Sequence, residues 1–218
     1  MTAPRRGLSS EPGILRTTER TRLRRKADRA SDNAEIVAAI LDEAMVCHVG
    51  VAIDGRPRVI PTAFGRIGSH LYLHGAVANS MLRALVAGAE ACVTVTLIDG
   101  LVLARSAFHH SMNYRSVMVF GGGEAVTDPD EKRAALAAIV DHMVPGRSQA
   151  TRPPNDGELR ATLVVRLALD EGSAKVRNGP PVDDPADLDL DHWAGVIPVA
   201  MIRGQPEPDA ATPTDLSS

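Results

Sequence analysis

Cysteine is scarce in this chain: Cys47 and Cys92 are the only two, each inside its own apolar run, with no C-x-x-C spacing and no cation pattern beside them. Nothing there lowers a thiol pKa, so both read as core residues in a reducing compartment. No apolar run reaches the roughly 18 residues of a membrane span, and the N-terminus has no hydrophobic signal region. A cytoplasmic protein is expected. Charge of one sign is lacking too: 24 Lys and Arg against 27 Asp and Glu give a net charge of -3. A generic nucleic-acid binder, which needs a broad positive field, is disfavoured.

Several catalytic signatures are also missing. There is no G-x-S-x-G, and the serines near His109 and His110 have no neighbouring acid to orient a histidine base. No H-x-x-x-H or Cys-His cluster occurs, and adjacent His109 and His110 on a strand would point to opposite faces, so no metal site is expected. Dinucleotide and P-loop fingerprints require glycines that open a helix after a strand. The one glycine run, Gly121-Gly122-Gly123, lies inside a strand pattern and reads as a bulge or bend.

What is present is a chain of 218 residues with 44% hydrophobic content, enough for one sizeable core. The expected organisation is a disordered tail over 1–15, a single domain over 16–203 with a basic N-terminal extension, and a second disordered tail over 204–218. Ser31 is a candidate cap for a helix with Ile36, Val37, Ile40 and Leu41 on one face. "MVCHVGVAI", Asp54-Gly55 and "RVIPTAF" read as a hairpin. "HLYLHG" is a further strand, followed by a short helix from Asn79-Ser80. Long strands "ACVTVTLI" and "SVMVFGGGEAV" come next, then a helix opened by Asp128-Pro129 with Glu131 completing a capping box. "ATLVVRLAL" and "WAGVIPVAMI" close the pattern across a Pro- and Asp-rich loop. Alternation without a regular βαβ rhythm favours a mainly β fold, an antiparallel barrel with helices outside.

Between the two long strands lies a polar block, "HHSMNYRS". An anion needs positive charge and directed donors: Arg115 offers a bidentate fork, while Ser111, Asn113, Tyr114 and Ser116 offer neutral donors. Asn79 and Ser80 sit beside the free N–H groups of the short helix. The alternative is an exposed loop in which Arg115 pairs with a surface acid.

In "RTTERTRLRRKADRA", "CHVGVAIDGRPRVIPTAFG", "LYLHG", "ARSAFHHSMNYRSVMVFG" and "WAGVIPV" the chain resembles the pyridoxamine 5'-phosphate oxidase-like superfamily of FMN-binding split barrels, within it the nitroimidazole-resistance-type flavoproteins. The resemblance implies a six-stranded antiparallel split β-barrel, a homodimer, and FMN held at the dimer interface. It points to Ile60, Pro61 and Thr62 against the flavin ring, and to His74, Asn79 and Ser80 about the ribityl phosphate. Arg115 and Ser116 contribute further, with Ser111, Asn113 and Tyr114 as neighbours and Trp193 flanking the ring.

Two departures bear on function. Asn79-Ser80 replaces the Arg-Lys pair of the true oxidases, and Arg203 alone remains of their cationic C-terminus. The implied activity is therefore an FMN-dependent oxidoreductase acting on a small planar substrate, not vitamin B6 oxidation. No side chain stands out as a general acid or base, His74 being the nearest candidate. The alternatives are a flavin carrier or sensor without turnover, or a split barrel holding the deazaflavin cofactor or haem.

Overall fold

A computed structural model describes residues 15, 16, 18–22, 29–31 and 33–209. Most of both expected tails, and Arg24, Arg25 and Lys26 of the basic stretch, lie outside those residues. In chain order the elements begin with β1 (Ala30–Ser31), α1 (Ala34–Glu43), β2 (Cys47–Ile53), β3 (Arg56–Thr62), β4 (Gly65–Ile67), β5 (His70–Ala76) and α2 (Ser80–Val86). They continue with β6 (Glu90–Leu103), β7 (Ser111–Gly122), β8 (Glu124–Ala125), α3 (Pro129–Met143), α4 (Asp156–Ala161), β9 (Thr162–Ala168), β10 (Glu171–Arg177) and β11 (Gly195–Pro198).

The strands form two sheets, ordered β1-β10-β7-β6-β2-β3 with β11 added to β6, and β4-β5-β9-β8. Every pairing of named strands is antiparallel. The fold is mainly β, as expected, but eleven strands are described where six were expected. Two of the differences have local causes. β10, "EGSAKVR", lacks a clean alternation of β-formers and is held by its pairing with β7. β11 is shorter than the 193–202 run because its regular pairing with β6 covers only Gly195 to Pro198.

Strand alternation sorts the residues. Cys47, Val49 and Val51 of β2, Leu71 and Leu73 of β5, Val93 and Val95 of β6, Val117 and Val119 of β7, and Val165 and Leu167 of β9 converge on one buried core. Helix α1 covers it with Val37, Ile40 and Leu41, and α2 with Met81, Leu82 and Leu85. Helix α1 is capped by Asn33, whose side chain accepts from the N–H groups of Glu35 and Ile36; Ser31, the expected cap, is taken into β1. The Asp54-Gly55 turn has positive φ at both residues (51° and 71°), the signature of a tight hairpin.

Outside the barrel, α3 packs on the second sheet. Tyr72, Val126, Ala135, Ile139 and Val164 form a separate small core there. Asp128 caps this helix, but Glu131 accepts from the Tyr72 hydroxyl (3.0 Å) and from Arg166 instead of closing a capping box. The capping box is found at α4, between Asn155 and Glu158. Gly65 sets how closely α3 approaches: a Cβ there would stand 2.8 Å from the Ile139 nitrogen and 2.9 Å from the Ala138 carbonyl carbon.

At the N-terminal end Leu15, counted with the tail by sequence, is buried in the core. Its neighbour Arg16 donates its N–H to the Asp170 carbonyl (2.8 Å). Arg20 pairs with Glu171 (2.6 Å) and Glu90 (2.7 Å) and lies over the Phe120 ring. This fastens the leading segment across β10, β6 and β7.

Two outcomes follow from this packing. Gly65→Ala should lower stability by about 1–3 kcal/mol in urea unfolding, since backbone and not a flexible side chain must move; an unchanged midpoint would show that α3 can withdraw freely. The Arg20 guanidinium and the Thr18 hydroxyl hold the Glu171 carboxyl down at about 2. Its folded pKa is lowered, so its stabilisation is present above the unfolded value near 4.3 and is lost as pH falls from there towards about 2. Glu171→Gln should therefore be less stable than wild type at neutral pH, with the difference shrinking in acid; equal curves at every pH would contradict the assignment.

Candidate functional site

The alternation that sends Leu71 and Leu73 into the barrel sends Tyr72 and His74 outward, towards α3. His74, paired in register with Val164 of β9, lines a cavity of about 600 Å³. Leu136, Ile139, Val140 and Met143 of α3 make its apolar wall, and Pro153 and Pro154 lie across from them. This volume is within the range of small-molecule and cofactor sites. Arg133 and Arg152 also line it, paired with Asp156 (3.1 Å) and Glu158 (2.7 Å).

The His74 Nδ1 atom is buried and has no hydrogen-bond partner among the described residues. Burial pushes the pKa of its imidazole down, because the charged form is poorly solvated there. A neutral ring with an unsatisfied nitrogen in an apolar cavity is the state that ligates a metal ion. That donor set fits haem: His74 would hold the iron, and Arg133 and Arg152 would meet the propionates.

A second concavity lies beside the barrel. Ser80 and Arg83 of α2 and Ala52, Ile53 and Asp54 at the β2–β3 turn enclose an open groove of about 620 Å³. Asn79 caps α2, its side-chain oxygen accepting from the Leu82 N–H (3.1 Å). Arg83 makes no ion pair or side-chain hydrogen bond among the described residues. The short helix thus carries a cation although Asn79-Ser80 replaces the Arg-Lys pair at its start; Arg83 follows Ser80 at i+3, on the same helix face, and that spacing could have revealed it.

Strand β3 is one edge of the larger sheet, paired among the described residues with β2 alone. Pro61 is exposed, Ile60 and Thr62 are half-buried, and Val59 is 67% exposed. An edge strand containing Pro57 and Pro61 is what a groove wall requires.

The polar block is divided by its own geometry. Arg115 and Ser116 are successive strand residues, so their side chains leave opposite faces. Arg115 forms a fork with Asp99 (2.7 Å) and reaches Glu43 at the end of α1 (2.5 Å). It is thus neutralised within the fold, and Glu43 is correspondingly held below the usual carboxylate range. Arg115 pairs with Leu97, beyond the start of β2, whereas Ser80 meets the far end of β2. At about 3.3 Å per residue these places are more than roughly 20 Å apart, so within one chain they do not share a phosphate.

The remaining residues are dispersed. Asn113 is buried, donates to the Gly179 carbonyl (3.1 Å) and accepts from Arg177. Tyr114 faces Lys175 at 5.9 Å, Ser116 lies between Thr96 and Lys175 in register, and Ser111 begins β7. Trp193 is 66% exposed and leans over Gly195 at the head of β11. The structure therefore brings Ser80 and Arg83 together in a groove and places His74 in a separate cavity, with Arg115 apart from both.

Comparisons with known proteins place this architecture. The chain is 41% identical to the flavocytochrome Anf3 from Azotobacter vinelandii, covering 91% of this chain and 92% of that one with a TM-score of 0.85. It is 40% identical to an FAD- and haem-binding protein from Mycobacterium smegmatis, over 85% of this chain and 93% of that one, with a TM-score of 0.80. A candidate 5-nitroimidazole antibiotic resistance protein from Bacteroides thetaiotaomicron is 28% identical over 67% of this chain and 86% of that one, at a TM-score of 0.58. No curated protein matches. With the pyridoxamine 5'-phosphate oxidase family model matching residues 32–176, and with an antiparallel split barrel under it, the chain belongs to the pyridoxamine 5'-phosphate oxidase family.

Proposed function

We propose that this protein binds both a flavin and a haem, and serves as a redox protein rather than a vitamin B6 oxidase. The observation that carries the reading is His74, with its Nδ1 unpartnered among the described residues, on the wall of a largely apolar cavity of about 600 Å³. A buried polar atom without a partner costs free energy, so the fold tolerates it where a ligand can satisfy it. Likeness to two relatives described as a flavocytochrome and as an FAD- and haem-binding protein supports the same pairing. On that likeness the flavin is FAD in place of the FMN first expected.

His74 would hold the haem iron through its imidazole, with the apolar face of α3 excluding water. Arg133 and Arg152 would meet its carboxylates, exchanging Asp156 and Glu158 for them. Haem and flavin together supply one- and two-electron chemistry, and the chain's own part is binding, orientation and solvent exclusion.

For the flavin, Ser80 and Arg83 would hold the phosphate, because Arg83 has no carboxylate partner among the described residues while Arg115 is already balanced by two. The edge of β3 at Ile60, Pro61 and Thr62 would flank the ring, and the same exposed strand suits contact with a second copy.

Two measurements test this. Haem added to the purified protein should give a Soret band that His74→Ala loses while keeping its flavin absorbance; an unchanged Soret band in the variant would refute His74 as ligand. Arg83→Ala should weaken flavin binding by about 1.5–3 kcal/mol, the range for a hydrogen bond to a charged group. An unaltered dissociation constant there, with loss in Arg115→Ala, would return the anchor to Arg115.

A further inference from the structure

Away from both concavities, one cluster of ligating side chains is assigned to nothing so far. His109 Nε2 lies 3.3 Å from an Asp184 carboxylate oxygen, and one donor atom each from His109, Asp184 and Asp187 fall within 4.8 Å of one another. The expectation of no metal rested on the lack of an H-x-x-x-H or Cys-His cluster and on His109 lying in a strand. Instead His109 ends a single 3-10 turn, Ala107–His109, that precedes β7.

We propose that His109, Asp184 and Asp187 form a divalent metal site, selective for zinc-like ions, that staples the 183–187 loop to the turn before β7. Three observations converge on it. First, the spacing: ligand atoms at about 2.0–2.2 Å from a tetrahedral ion stand about 3.3–3.6 Å apart. The 3.3 Å between His109 and Asp184 matches that edge, and is long for a charge-assisted hydrogen bond of about 2.7–2.9 Å.

Second, the two halves are held in place without an ion. Asp183 accepts from the Arg105 N–H (2.9 Å) and from its guanidinium (2.8 Å), tying the loop to the segment that leads into the turn. Within the loop the Asp187 N–H donates to the Asp184 carbonyl (2.9 Å), which sets the two carboxylates on one short turn. The Ser106 hydroxyl accepts from the Phe108 N–H (3.3 Å) on the other side.

Third, the charge is unbalanced. Asp183, Asp184, Asp187, Asp189 and Asp191 crowd nine residues of this loop, and Arg105 is the only cation paired with any of them among the described residues. A divalent ion would offset the repulsion between the Asp184 and Asp187 carboxylates. One imidazole with two carboxylates is a mixed nitrogen and oxygen set, which suits zinc better than magnesium or calcium, whose sites take oxygen. Three protein ligands leave a fourth position for water. His110 is not part of the set, since its Nδ1 is within 3.0 Å of the Ser106 carbonyl.

Calorimetric titration of chelator-treated full-length protein with zinc sulfate is the test, read beside thermal melting. Wild type and His110→Ala should each bind one saturable zinc and melt at a higher temperature with it. His109→Ala and Asp187→Asn should each bind at least about tenfold more weakly and lose the thermal shift. His74→Ala should keep it, which separates this site from the haem cavity. Equal binding in wild type and His109→Ala, binding lost equally in His110→Ala, or no saturable binding at all would overturn the proposal.

Discussion

The antiparallel pairing of β6 with β7 is the constraint on which the rest of the molecule depends. Fourteen residues run against twelve, and β6 also carries β2 and β11 while β7 carries β10. Side-chain alternation along this pair decides that Val93, Val95, Val117 and Val119 face the barrel. The register shift between Ile98 and Gly100 then carries β6 onward to meet β11. Gly100 permits that meeting, because a Cβ there would stand 2.9 Å from the Val196 side chain. Without this pair neither the core under α1 and α2 nor the edge presented by β3 would have a frame.

The two concavities differ in what their walls are made of, and the difference follows from the layers. The groove by α2 lies where a hairpin tip meets a helix on the barrel itself, so its lining is mostly small alanines, with Asp54, Ser80 and Arg83 as its polar groups. The cavity under α3 lies between a sheet's outer face and a helix that covers it, so its lining is apolar apart from His74 and the rim. One place suits a phosphate and the other suits a flat hydrophobic ring. His142 joins the cavity wall to the barrel: its Nε2 meets the Ala44 carbonyl at 2.6 Å, beside the Glu43 that holds Arg115. The charge cluster about Arg115 thus acts as a seam between α1, β6 and β7.

Much of the fold was legible because local signals agreed with tertiary need. Asp54-Gly55, Asn79 and Asp128 act as read, since turn chemistry and caps depend on a few adjacent residues. The alternation in "LYLHG" already separates Leu71 and Leu73 from Tyr72 and His74. What was not legible depends on partners distant in sequence. The carboxylates that occupy Arg115 come from residues 43 and 99, and the turn holding His109 is fixed by a loop more than seventy residues later. The weak β-formers of β10 gave no sign of a strand until β7 supplied its ladder. Of the site residues, Ser80 and His74 line the two hollows, whereas the polar block was read as one unit because sequence adjacency hides the two faces of a strand.

Strand β5 has the barrel core on one side and the cavity on the other, so the two are filled by a single parity. Moving its register by one residue would exchange them: His74 would enter the apolar interior while Leu73 turned towards α3. Turn length at Gly68-Ser69 is therefore under a double restriction, since an inserted residue there would spoil packing and ligand capacity together. Paired insertions that restore parity would be the only ones this strand could accept, and loop growth in such a chain should be sought elsewhere.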